Sequence, residues 1–208
     1  QEGWSLKKLH RWIMTSNVYQ QASTADAHSR KVDPDNHLLW TAHRQRLDFE
    51  SMRDTLLTIS GRLNPRQGGR PVDVANDPQS RARTVYGLID RQSLPGTFRA
   101  FDFASPDQSI ERRSRTMVPQ QALFAINSPF VIVQAKTLAS RPDITSIANP
   151  GARVGAIYHA ALLRDPTPQE LAESLEFVNG PKDDQSQLTV WEQLVQVLLS
   201  SNELMYLD

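Results

Sequence analysis

Between Thr116 and Gln134 the chain places two prolines ten residues apart, Pro119 and Pro129, each at the head of an apolar run. Proline lacks an N–H and fixes φ near the helical value, so it fits the first turn of a helix and disrupts the interior. Pro119 therefore opens one helix, Asn127-Ser128 closes it, and Pro129 opens a second with Ser128 as its N-cap. Two short apolar helices must meet at a fixed corner.

Helical spacing recurs on either side. Leu6, Leu9, Trp12 and Ile13 fall on one face of a first amphipathic helix over residues 5–22, with Lys7, Lys8 and Arg11 on other faces. Residues 23–35 read as an exposed connection. Asp33-Pro34-Asp35-Asn36 then predicts the start of the longest helix, with Leu38, Ala42, Phe49, Met52, Leu56, Ile59 and Leu63 on one stripe and Arg46, Glu50, Arg53 and Asp54 on the solvent side. Residues 64–82 are dense in breakers, including Pro65, Gly68, Gly69, Pro71 and Pro78, and form the main loop and the natural divider. Beyond it, residues 84–89 and 98–103 carry β-branched and aromatic side chains about Leu94-Pro95-Gly96, which predicts a small two-stranded element. Val154, Ile157 and Ala161 mark a helix; Thr167-Pro168-Gln169-Glu170 is a capping box for the next, which Asn179-Gly180-Pro181 stops. A last helix carries Leu188, Trp191, Val195 and Leu198. The expected fold is mainly α, an irregular helical domain with a small two-stranded β element in a loop-rich middle, occupying 1–208 as one domain.

Composition narrows the chemistry. Zero cysteines remove disulfides, thiolate metal sites and cysteine nucleophiles. The net charge is zero, yet residues 1–70 and 71–164 each carry +4 while residues 165–208 carry −8. With no nucleic-acid-binding motif beside the arginines, nucleic acid is not an expected partner. No apolar run reaches the roughly 18–20 residues needed to cross a bilayer, so no membrane insertion by this segment is expected.

Candidate sites are few. Asp33-x-Asp35-Asn36 looks like the start of a calcium loop, but Leu38 and Arg44 stand where that loop needs glycine and glutamate. Capping by Asp33 or Asn36 is the better reading, and no metal site is expected. His10 with Asp33 or Asp35 is the candidate acid–base pair, set against a structural role for each. Arginines at 81, 83, 91, 99, 112, 113 and 115 are the strongest binding candidates, because guanidinium forks read carboxylate, sulfate or phosphate bidentately. Arg83, Arg112 and Arg113, with Arg44 and Arg46, are the expected binding residues. The structural reading pairs Arg112 and Arg113 with Asp90, Asp102 or Asp107. Trp4, Trp12, Trp40, Tyr86, Phe98, Phe101 and Phe103 are either a sugar-stacking platform or core, and Trp12 and Trp40 are expected to fill the core between the first two helices.

Several of these segments, in order, carry a resemblance: SLKKLHR at 5–11, DPDNHLLW at 33–40, RQRL at 44–47, SGRL at 60–63, RTVY at 83–86, FDF at 101–103, PQQALFAINSPFV at 119–131 and SSNELMYLD at 200–208. Together they resemble the PSD-type C-terminal domain of unknown function from planctomycete surface-cytochrome-associated proteins. The resemblance implies an extracytoplasmic, multidomain parent with another domain upstream of this one. It implies haem only in a separate domain of that parent, and no cofactor in this one. Relatives of this type often show a cysteine near residues 110–113, where this chain has Ser109 and none. The resemblance brings no catalytic residues with it. Two functions follow as expectations: an accessory or docking module packing against the upstream domain, or part of an enzyme site on an anionic, perhaps sulfated, polysaccharide, with His10 and Asp33 or Asp35 as acid and base and arginines as anion clamps.

Overall fold

The computed structural model describes residues 3–24, 26–65, 68–181 and 186–207. They fall into two units, Gln1–Arg46 with Tyr206–Asp208, and Leu47–Met205.

In the smaller unit, Ser5 caps α1 (Leu6–Met14), its Oγ accepting from the Lys8 amide at 3.4 Å. Asp26 caps α2 (Ala27–Val32) by accepting from the Ser29 amide at 2.8 Å, within the segment expected to be a plain connection. No helix begins at Asp33. Its carboxylate accepts from the His37 and Leu38 amides at 3.0 and 2.7 Å, and its carbonyl accepts from Trp40 Nε1 at 2.8 Å. Asn36 clasps both backbone groups of Thr41, donating at 2.7 Å and accepting at 3.2 Å. Short polar side chains here satisfy the backbone locally and outcompete the helix, and Asn36 and Leu39 adopt φ of 55° and 56°, which ends helical continuation. The β element lies next to this knot: β1 (Gln45–Arg46) pairs antiparallel with β2 (Tyr206–Leu207). The fold class therefore stands as expected, but the strands are elsewhere than residues 84–103.

The larger unit opens at Asp48, which caps α3 (Phe49–Ile59) by accepting from the Ser51 amide at 2.7 Å. Gly61, at φ 74°, ends it, with the Arg62 amide reaching back to the Leu57 carbonyl at 2.8 Å. Phe49, Met52, Leu56 and Leu57 are buried, and so is Arg53, which the sequence placed on the solvent side. Its guanidinium donates to the carbonyls of Ala82 and Ser80, each at 2.8 Å, and so fastens the breaker-rich segment to α3. Residues 84–86 form a single 3-10 turn and the 98–103 segment contributes to α4 (Gly96–Ala100) instead of a strand. Phe98 and Phe101 are three apart and enter the core together, joining Phe49 and Phe124 in an aromatic cluster.

The proline corner forms as the sequence requires. α5 (Pro119–Asn127) and α6 (Pro129–Ala139) meet at 46° about Ser128, whose side chain occupies the cap position without making a cap hydrogen bond. Gln121, buried, donates from Nε2 to the Ala100 carbonyl at 2.8 Å, tying α5 to α4. α6 is the centre of the unit: Val131, Ala135 and Leu138 are fully buried, and Gln134 Oε1 accepts from Ser60 Oγ at 2.9 Å. Around it lie α7 (Pro142–Thr145), α8 (Pro150–Leu162), α9 (Pro168–Asn179), α10 (Val190–Leu199) and α11 (Asn202–Met205), with α10 packed on α6, α8 and α9. The capping box at Thr167 and Glu170 forms, and a second forms at Thr189 and Glu192.

Arg164 locks the end of this group. Its fork holds Glu170 at 2.7 and 2.8 Å and Glu203 at 2.7 Å twice. Hydrogen bonding from Arg164 holds the Glu170 carboxyl down at about 2. A depressed carboxyl contributes stability in full above its ordinary value of 4.5 and loses it as pH falls from there toward 2. Both side chains keep about a third of their exposure, 34% and 30%, so solvent screening reduces the contribution to ~0.5–1 kcal/mol. Thermal melts should find Glu170→Gln less stable than wild type near pH 6, with the gap closing as pH approaches 2.

Candidate functional site

The face that stands out is on α1. Leu6, Leu9, Trp12, Ile13 and Met14 are 68, 47, 57, 47 and 55% exposed, and none of the helix's nine residues is buried. At 100° per residue, Leu6, Leu9, Trp12, Ile13 and Met14 share one broad arc that also contains His10, while Lys7, Lys8 and Arg11 occupy the other. Trp12 is thus surface, not core. Trp40 is half-buried, held within its own loop by its bond to the Asp33 carbonyl. An apolar stripe of this width is ordinarily covered in a folded protein.

The candidate acid–base residues sit in three different settings. His10 is exposed on α1, and its ring makes no hydrogen bond or ion pair among the described residues. Asp33 spends both carboxylate oxygens on backbone amides, and the Leu38 amide above all holds its carboxyl below the usual range. Asp35 is exposed, with His37 Nε2 at 3.8 Å as its neighbour. The carboxylates that looked like cation ligands or helix caps in the sequence are, for Asp33, the pin of a turn.

The arginines separate into ties and open groups. Arg83 Nε lies 3.3 Å from Asp54, whose other oxygen accepts from the Thr84 amide and hydroxyl at 2.8 and 2.7 Å. Arg113 takes both oxygens of Glu50 at 2.8 and 3.1 Å and lies 4.6 Å over the Phe103 ring. The structural reading for Arg113 was right in kind and wrong in partner. Asp102 is engaged instead by the Thr116 amide and hydroxyl, at 2.7 and 2.9 Å. Arg112 is exposed, and its guanidinium makes no pair among the described residues. Arg44 is exposed just before β1, and Arg46 lies within β1 in the smaller unit, whereas Arg83, Arg112 and Arg113 belong to the larger. Arg91 and Arg99, part of the sequence cluster but not its favoured members, line a cavity with Phe103 and Asp107.

Sequence reasoning missed Arg53 because nothing local distinguishes a buried arginine on a helix from an exposed one. Its acceptors, Ser80 and Ala82, lie 27 and 29 residues away.

No curated protein and no solved structure matches the chain. The family model PSD1, described as "Protein of unknown function (DUF1553)", matches residues 1–178. That span takes in the amphipathic α1, the Asp33 knot, the Arg53 tie and the proline corner, and on it the chain belongs to the PSD1 (DUF1553) family.

Proposed function

We propose that the chain is an accessory docking module of an extracytoplasmic multidomain protein, and that the apolar face of α1 packs against another domain of the same polypeptide, upstream of it. The observation that carries this reading is the simultaneous exposure of Leu6, Leu9, Trp12, Ile13 and Met14. Leu6, Leu9 and Ile13 have the i, i+3, i+7 spacing with which a helix enters a groove.

Magnitude favours a tethered partner. Burying a large apolar side chain completely yields ~1.5–3 kcal/mol, and these five have about half of that still to gain, ~4–8 kcal/mol together. Immobilising a separate partner costs ~4–15 kcal/mol. The face is therefore too small to hold a free protein tightly, and well matched to a domain held nearby at millimolar effective concentration. Lys7 and Arg11 ask for acidic groups at the rim of the receiving groove.

The double substitution Leu9→Ser and Ile13→Ser tests this. In the isolated chain the melting temperature should stay within ~2 °C, since substitutions at exposed positions rarely exceed about 0.5 kcal/mol. In the longer polypeptide the same change should uncouple the domains and separate one melting transition into two. Unchanged melting of the longer polypeptide, or wild-type α1 partitioning onto anionic lipid vesicles in that polypeptide, overturns the reading.

A further inference from the structure

Residues 91–114 line an open cavity of about 510 Å³ in the larger unit, within the ~300–1,000 Å³ typical of small-molecule sites. Its frame is built, not loose. Asp102 stands at φ 55°, a left-handed conformation uncommon for a residue with a side chain, and from there its carboxylate collects Thr116 and Ser114. That clasp shuts the neck of the 102–116 loop. The wall residue Phe103 is fixed on two sides, by the Arg113 guanidinium at 4.6 Å and by the buried Phe98 ring at 4.8 Å between centroids. Arg113 is itself anchored on Glu50 of α3.

On this fixed frame the charged side chains of Arg91, Arg99 and Asp107, which line the cavity and are exposed, are unspent. The guanidinia of Arg91 and Arg99 make no hydrogen bond, ion pair or ring contact among the described residues, in contrast to those of Arg83, Arg113, Arg141 and Arg164. The Asp107 carboxylate is unspent in the same sense, and Leu94, Phe103 and Ile110 supply apolar wall. The four charged side chains of the lining, Arg91, Arg99, Asp102 and Asp107, sum to zero. Recognition must then come from short-range fork geometry and not from a long-range field.

We infer that this cavity is a binding site for a small polyhydroxylated acid, a sugar unit bearing a carboxylate. Arg91 and Arg99 hold the acid group, Asp107 accepts from hydroxyls, and the apolar wall covers the C–H face of the ring. This site is on the larger unit and is independent of docking through α1.

The test uses the whole chain with D-glucuronate as probe, D-glucose as its neutral counterpart and acetate as the acid group alone, followed through the Arg Nε–H resonances in NMR titrations. Glucuronate should shift Arg91 and Arg99 saturably and leave the exposed Arg30 unmoved, glucose should shift neither, and acetate should bind at least ~10-fold more weakly. Arg99→Gln and Arg91→Gln should each weaken glucuronate at least ~10-fold, the loss of one charge-assisted pair, with unchanged melting temperature. Absence of a saturable glucuronate shift, acetate binding as tightly as glucuronate, or variants that bind like wild type would each overturn the assignment.

Discussion

Replacing Arg53 by methionine should destabilise the Leu47–Met205 unit by about 3 kcal/mol, seen as a lower denaturant midpoint at unchanged slope. Arg53 is 1% exposed, and burial lowers its guanidinium to about 10, so it is charged at neutral pH. Removing a buried charge can be neutral when its partner is removed as well. Here the partners are the Ser80 and Ala82 carbonyls and Thr84 Oγ1, at 2.8, 2.8 and 3.3 Å, and they remain when the side chain goes. Methionine fills comparable space, so the loss reports unpaired acceptors and not a cavity. Arg53→Lys should recover only part of it, because a point ammonium does not reproduce a fork. A loss below about 1 kcal/mol in Arg53→Met would mean that water reaches those carbonyls and that Arg53 does not fasten the 80–84 segment.

Phe49→Ala should cost about 3–5 kcal/mol, the range for truncating a buried phenylalanine in a rigid setting. Phe49 is 1% exposed and meets Phe98, Phe101 and Phe124 at centroid distances of 5.0, 5.4 and 5.9 Å. It is the one ring that touches α4, α5 and the residue capping α4 from α3, so its removal opens a void that three elements line. Near-UV circular dichroism should weaken along with stability. A cost under about 2 kcal/mol would show that α4, only five residues long, shifts to refill the space.

What could be read from the sequence was what neighbouring residues decide among themselves. Pro119, Pro129 and the Thr167–Glu170 box each carry their structural instruction within four residues, and the helices they start are where the sequence put them. The same signature stands at Thr189 and Glu192 and carries the same instruction. The errors arose where a local signal had two solutions or where the partner was distant. Asp33 and Asn36 suit a helix cap and a non-helical knot alike, and the knot prevailed because both side chains found backbone partners within five residues. Phe98, Phe101 and Phe103 enrich a short run in aromatics, as a strand does, yet the spacing of the first two also fits one helix face. A sheet of two residues per strand, pairing Gln45 with Leu207, leaves no alternation to detect.

The candidate site divides in the same way. Periodicity gave α1 an apolar face, but whether that face is covered depends on the rest of the fold, and Trp12 was assigned to a core it does not enter. The arginine cluster was visible as composition. Which arginines are ties and which are open is set by Glu50 and Asp54 on α3, far away in sequence, and those two took Arg113 and Arg83 while Arg91 and Arg99 stayed at the cavity.

The docking account is tested most directly by hydroxyl-radical footprinting of α1 in the longer polypeptide and in the isolated chain. The account predicts that Leu6, Leu9, Trp12 and Ile13 label readily in the isolated chain and are protected several-fold in the longer polypeptide, while the exposed Val85, outside α1, labels equally in both. Equal labelling of the four α1 residues in the two proteins would contradict it.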